Sequence, residues 1–145
     1  GKTWYYAKDN GEVVTGAYSV GDKHYYFRED GRQVKGDFVK NADGSLSYYD
    51  KDSGERLNNR FLTTGNNVWY YFKDGKAVTG RQNIDGKEYY FDNLGRQVKG
   101  SSISTPKGVE YYESVLGERV TNTWITFQDG KTVFFDDNGY ADFDK

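Results

Sequence analysis

Apolar positions in this chain come as short aromatic clusters separated by polar turns. Tyr5-Tyr6, Tyr25-Tyr26, Tyr48-Tyr49, Tyr70-Tyr71, Tyr89-Tyr90, Tyr111-Tyr112 and Phe134-Phe135 recur about every twenty residues. Most clusters are followed by a turn ending in glycine: Gly11, Gly31, Gly54, Gly75, Gly95, Gly117 and Gly139. No stretch carries a helical apolar period with caps, and runs such as Tyr-Tyr-Phe favour strands. Each unit therefore reads as a β-hairpin. In one of them, Asp85-Gly86 separates Arg81–Ile84 from Lys87–Phe91, a strong two-residue turn signal. That count pairs Ile84 with Lys87, Asn83 with Glu88 and Gln82 with Tyr89; the same count sets Tyr18 opposite Tyr25. Gly21-Asp22 suits a type II′ turn, Asp129-Gly130 reads as another two-residue turn, and Pro106 reads as part of a longer loop. Alternation sends the two members of an aromatic pair to opposite faces, so one should be core and the other nearer the surface.

The units, cut at 1–16, 17–36, 37–59, 60–80, 81–100, 101–122 and 123–145, resemble one another best three apart. Val34-Lys35-Gly36 recurs as Val98-Lys99-Gly100, 64 positions on. Trp4-Tyr5-Tyr6 recurs as Trp69-Tyr70-Tyr71, and Gly54–Asn59 as Gly117–Asn122. Fixed-period self-similarity is the signature of a stacked array in which no unit buries its own apolar face. The fold expected is all-β: a β-solenoid of about seven stacked hairpin repeats, about three hairpins per superhelical turn. The chain reads as a single repeat domain over 1–145, a fragment of a longer array, because Gly1-Lys2-Thr3-Trp4 looks like the second half of a hairpin.

Composition agrees. Only 35% of residues are hydrophobic, and 14 Tyr, 9 Phe and 3 Trp dominate them. A compact sandwich would want alternating aliphatics, whereas stacked hairpins can cover one ring with the next. The net charge of −2 comes without a basic block, which argues against nucleic acid. No apolar run is long enough for membrane insertion. The absence of cysteine excludes disulfides and thiolate metal sites.

Candidate chemistry is that of binding. The single histidine, His24, has no partner for a metal pair and sits at a strand edge, where solvation or packing explains it. Asp30, Asp50, Asp52, Asp74, Asp92, Asp136 and Asp137 fall in turns, where aspartate caps its own backbone. Asp50–Glu55 begins like a calcium loop but lacks its length and terminal glutamate. No catalytic or metal residue and no cofactor is expected. What remains is a surface of Tyr, Gln, Lys, Asn and Thr. A flat ring can stack on a pyranose face, and fixed polar groups can hold its hydroxyls. Core packing of the same rings is the competing reading.

The stretch Val78–Phe91 with Gly95–Gly100, and the third-kind unit Tyr48–Glu55, resemble the repeats of glucan-binding domains that flank the catalytic core of glucansucrases from lactic acid bacteria and oral streptococci. The resemblance runs along essentially the whole chain. It implies a secreted or cell-surface module of a Gram-positive bacterium, non-catalytic, in one chain with its parent enzyme and bound to an α-glucan such as dextran. It carries binding roles onto Gln82, Tyr89, Tyr90 and Lys99, and onto Tyr25, Tyr26 and Lys35 with Tyr18 in place of the glutamine. No pocket is expected to centre on the third or sixth unit. Choline or cell-wall polymer binding, toxin-type receptor binding and a ligand-free spacer remain open. Choline calls for an aromatic cage that usually uses a Gly-Trp pair absent here.

Overall fold

The computed structural model describes residues 4–8 and 10–145, and among these no helix occurs. The reading of residues 1–3 as part of a hairpin strand lies outside the described residues. The strands are β1 (Gly16–Val20), β2 (Lys23–Phe27), β3 (Asp37–Lys40), β4 (Leu46–Tyr49), β5 (Arg60–Thr63), β6 (Trp69–Lys73), β7 (Lys76–Ala77), β8 (Gly80–Ile84), β9 (Lys87–Phe91), β10 (Ser101–Thr105), β11 (Gly108–Tyr112), β12 (Thr123–Thr126), β13 (Thr132–Phe135) and β14 (Ala141–Asp142). They form separate small antiparallel sheets: β1-β2, β3-β4, β5-β6-β7, β8-β9, β10-β11 and β12-β13-β14.

Local turn chemistry sets the register. Asp85 (φ 53°) and Gly86 (φ 84°) make the mirror-image turn that matches strand twist, and Gln82 pairs with Tyr89 as expected. Gly21 alone has positive φ in its turn, and Tyr18 pairs with Tyr25. Two turns differ from expectation. Thr105 pairs with Gly108, so Pro106-Lys107 is a two-residue turn, not a longer loop. Proline fixes the backbone for the first central position and needs no N–H there. Conversely, Phe127 N–H donates to Lys131 O at 2.8 Å, so Asp129-Gly130 ends a three-residue loop instead of forming the turn alone.

After each hairpin the chain returns as a third short segment against the second strand. Bridges join Ala7 to Val13, Phe27 to Gln33, Tyr49 to Arg56, Phe91 to Gln97 and Tyr112 to Arg119. Phe72–Ala77 and Phe135–Ala141 pair in the same way. The ring at the bridge is the core position: Phe27, Tyr49, Phe72, Phe91, Tyr112 and Phe135 are all buried. This corrects the expected division of the aromatic pairs. In the Tyr-Tyr-Phe units both tyrosines are half-buried and the phenylalanine is core. In the third-kind units the second tyrosine occupies the phenylalanine position. Those units lack no ring; their pair is set one place further along.

The segment closes on a left-handed residue. Gly36 (φ 67°) and Gly100 (φ 65°) have as counterparts Asn59 (φ 53°) and Asn122 (φ 49°). Asparagine is among the few non-glycine residues that tolerate this region, so Val-Lys-Gly and Leu-Asn-Asn are two solutions to one backbone requirement.

Contacts group the chain into two compact units, Gly1–Leu62 with Tyr71–Ala77, and Thr63–Tyr70 with Val78–Lys145. In the first, Gln33 N–H donates to Trp4 O (2.6 Å) and Arg56 N–H to His24 O (2.8 Å). In the second, Gln97 N–H donates to Trp69 O and Arg119 N–H to Glu88 O, both at 2.8 Å. Each third segment thus joins the hairpin before it. Rings follow the same order: Tyr26 lies 5.9 Å from Tyr49, Tyr90 5.7 Å from Tyr112, and Tyr111 5.8 Å from Phe135. Each fully buried ring is worth about 1.5–3 kcal/mol of transfer free energy, which substitutes for the scarce aliphatic core.

Candidate functional site

In the second compact unit, Gln82 and Tyr89 stand opposite each other across β8 and β9, both half-buried. The Gln82 side-chain amide donates to Thr79 O at 2.8 Å, which fixes its orientation. Burial pushes the Tyr89 phenol up, with Glu118 adding to it. Lys87 pairs with Glu118 at 2.8 Å.

Lys99 reaches this region from the returning segment. Its ammonium lies 4.8 Å from the centre of the Trp69 ring and donates to Val115 O at 3.1 Å. Beside it, the Gln97 amide donates to Leu116 O at 2.9 Å. The 113–118 loop that receives both is held by Glu113, whose carboxylate accepts from the N–H groups of Val115 (2.9 Å), Leu116 and Gly117 (2.8 Å). Its tip is apolar and open: Val115 is 72% exposed and Leu116 58%.

The first compact unit repeats the construction. Tyr18 faces Tyr25 across β1 and β2. The Lys35 ammonium lies 4.3 Å from the Trp4 ring centre and donates to Asp52 O at 3.1 Å. Lys23 pairs with Glu55 at 3.4 Å, as Lys87 does with Glu118. Asp50 holds the loop by accepting from the N–H groups of Asp52 and Ser53, both at 2.9 Å. The carboxylates of Asp30, Asp92 and Asp136 cap turns likewise, whereas no backbone hydrogen bond to the Asp52, Asp74 or Asp137 carboxylate is seen among the described residues.

Tyr90 and Tyr26 stand apart from these groups. They take the opposite face of their strands from Tyr89 and Tyr25, against Tyr112 and Tyr49. Tyr26 there lines a cavity of about 540 Å³ with Phe38, Val39, Lys40, Arg28, Glu29 and Asp30. Tyr111, Phe127 and Thr126 line a comparable one of about 570 Å³. A third, of about 550 Å³, is lined mostly by residues 50–58 together with Asp22, Lys23, His24 and Arg60. This cavity lies at the third unit, where its loop meets the preceding hairpin turn.

Sequence reasoning missed Trp4 and Trp69 as partners of the lysines, Gln97 as the residue whose amide holds the 113–118 loop, and Gln33 as its counterpart against Gly54. The tryptophans recur 65 positions apart, a visible signal. Each nevertheless comes from the unit before the lysine it meets, some thirty residues away. What both unit sites offer is a half-exposed ring, a fixed amide or second phenol, an ammonium and an ion pair at the rim. That set can stack on one face of a polyol ring and hold its hydroxyls.

The sequence matches the choline-binding repeat family over residues 14–61 and 78–124. It is 45% identical over 140 residues to glucosyltransferase-I of Streptococcus downei, covering 95% of this chain and 9% of that protein. It is 42% identical over 139 residues to glucosyltransferase-S of Streptococcus mutans serotype c, again 95% of this chain and 9% of the relative. Among solved structures, CbpJ from Streptococcus pneumoniae superposes with a TM-score of 0.74 at 25% identity, over 97% of this chain and 45% of that one. The autolysin LytC of Streptococcus pneumoniae, solved with a synthetic peptidoglycan ligand, shares the fold with a TM-score of 0.81 at 22% identity, over 97% of this chain and 31% of that one.

Proposed function

The chain belongs to the choline-binding repeat family, and from that membership and the geometry above we propose that it is a non-catalytic module binding α-glucan polymer of the dextran type. It would work within a secreted or cell-surface glucosyltransferase, of whose relatives it spans about 9%. The ligand contacts are Gln82, Tyr89 and Lys99 in one site and Tyr18, Tyr25 and Lys35 in the other. Tyr90 and Tyr26, on the opposite face of their strands, pack on Tyr112 and Tyr49 and hold the hairpins in the stack. The hairpins form a single β-solenoid domain of about seven repeats, three to a turn, which sets equivalent sites along one array.

The observation that carries this reading is the duplicated Trp–Lys platform. Trp69 with Lys99, and Trp4 with Lys35, are built alike beside a cross-strand pair with a half-buried ring. A quaternary ammonium needs aromatic faces free of cation. These tryptophan faces carry the chain's own ammonium groups, which favours a neutral polyol over choline.

One such site gives about −4 to −6 kcal/mol, a dissociation constant from about millimolar to tens of micromolar. A long glucan engages a second site intramolecularly, so polymer should be retained far more strongly than a short oligosaccharide. Titrating the chain with a short α-glucan oligosaccharide and with dextran, read by tyrosine fluorescence, tests this. Equal molar affinity for both, or response to neither, would contradict the proposal.

A further inference from the structure

The arginine after each third-kind loop is built into two different surroundings. Arg119, 9% exposed at its side chain, donates to Glu88 (2.7 Å) and lies 3.4 Å from the Glu110 carboxylate. It also donates to Asn138 O (2.8 Å) and covers the Tyr140 ring. Glu110 is fully buried and is met by the Tyr112 hydroxyl (2.8 Å) and by Arg81. Two guanidiniums and two carboxylates therefore close a neutral set, the condition for burying charge without a large penalty.

Arg56 holds the same place in the first compact unit. Its N–H donates to His24 O as that of Arg119 donates to Glu88 O. Its guanidinium rests against Gly75 as that of Arg119 rests against Gly139. The answering residues have changed. Ser47 stands for Glu110 and donates its hydroxyl to Gly75 O at 2.6 Å. His24 stands for Glu88. Lys76 stands for Tyr140, and its ammonium is turned to Asp43 at 2.5 Å. Among the described residues no carboxylate lies within ion-pair distance of Arg56, whereas Arg119 meets two; the Nε of each arginine is buried from solvent without a hydrogen-bond partner, so the missing carboxylates are what distinguish Arg56.

Arg56 lines the cavity of about 550 Å³ with Lys23, His24, Asn58 and Arg60. Three acids also line it: Asp50, which accepts backbone N–H groups and faces the charge of Arg60, Glu55, which pairs with Lys23, and Asp22 in the β1-β2 turn. The His24 ring is fixed through Nδ1 by the Ser19 hydroxyl at 2.8 Å, which leaves Nε2 as its other polar atom.

We propose that this cavity is an oxyanion site that takes a phosphate group, with Arg56 as its principal donor and His24 and Arg60 beside it. A guanidinium fork matches phosphate oxygens two at a time, and the bound anion supplies the charge that Glu88 and Glu110 supply to Arg119. The site shares the Lys23–Glu55 pair with the rim of the Tyr18–Tyr25 site, but Arg56, His24 and Arg60 are not among the proposed sugar contacts.

The test is a titration of the chain with inorganic phosphate against chloride at constant ionic strength, following the amide signals of Arg56 and Gly75 by NMR. The expected result is a saturable shift with a dissociation constant of about a millimolar. Dimethyl phosphate in a parallel titration separates the sources. Binding of both identifies a diester, binding of phosphate alone a monoester or the free ion, and either supports the site. The variant His24→Glu installs the acid that pairs with Arg119 in the other unit and should weaken phosphate at least about tenfold while the spectrum stays folded. Arg56→Gln should do the same. Dextran binding should be unchanged in all of them. Shifts no larger than with chloride, or a phosphate affinity in His24→Glu and in Arg56→Gln equal to that of the unaltered chain, would overturn the proposal.

Discussion

The ring of Tyr90 stands 5.7 Å from the buried ring of Tyr112, whereas Tyr89, the next residue back, pairs across the hairpin with Gln82. Two neighbouring tyrosines of one strand thus do different work. Tyr90→Ala should cost about 2–4 kcal/mol of stability, read as a shift in the urea midpoint. Tyr89→Ala should cost clearly less and lose most of its binding to dextran. The reverse pattern would show that the ligand-facing and packing roles are exchanged.

Glu110 is the sole acid between Arg81 and Arg119 that is fully buried. Glu110→Ala leaves two guanidiniums short of a counter-charge and should destabilise by about 3–5 kcal/mol. Ser47→Ala, at the equivalent position, removes a hydroxyl that donates to Gly75 O and accepts from the Asn41 amide and should cost about 1–2 kcal/mol. Thermal melts of the two variants check this; equal losses would mean that the ion network contributes nothing beyond one hydroxyl's hydrogen bonds.

The turn acids set the acid limit. Burial pulls the Glu113 carboxyl up, but the N–H groups of Val115, Leu116, Gly117 and Glu118 together outweigh it and hold it below its ordinary range. For Asp50, hydrogen bonds from the N–H groups of Ser53 and Asp52 lower it. A carboxyl lowered in the folded state stabilises above its unfolded value, and that stability is lost as pH falls through the folded one. Melting temperature should therefore drop from about pH 5 downward. Glu113→Gln and Asp50→Asn should each flatten that slope while lowering stability at neutral pH. An unchanged slope would dissociate these caps from acid sensitivity.

Gly117 has φ 79°, and a Cβ there would lie 2.3 Å from Gln97 Nε2 and 3.1 Å from Lys99 Cγ. Gly117→Ala should cost about 1–3 kcal/mol and displace the Gln97–Lys99 side chains. Dextran binding at that site should weaken more than the stability loss alone explains, checked well below the melting temperature. Unaltered binding would mean that Lys99 does not touch glucan.

Much of this was readable in the chain. Asp85-Gly86 and Gly21-Asp22 dictate their own turns, so the pairing of Gln82 with Tyr89 and Tyr18 with Tyr25 followed from counting. The acids of the turns, Asp50 among them, revealed their capping role by position. The one-place offset of Tyr48-Tyr49 did not show, because two adjacent tyrosines look alike in sequence whichever of them faces the core. Pro106-Lys107 was read as loop because proline breaks strands, yet at a turn it needs no N–H. The Trp69–Lys99 and Arg119–Glu88 pairs join residues about thirty apart from neighbouring units, and only the packing of one hairpin on the next brings them together.

The most direct measurement for the glucan-binding account is retardation in a native gel containing dextran, with gels containing free choline or no ligand as controls. A folded protein already carrying Tyr18→Ala and Lys35→Ala should still be slowed by dextran alone, and adding Gln82→Ala with Lys99→Ala should abolish that slowing while circular dichroism is unchanged. Undiminished retardation of the quadruple variant, or retardation by choline and none by dextran in the unaltered chain, would contradict it.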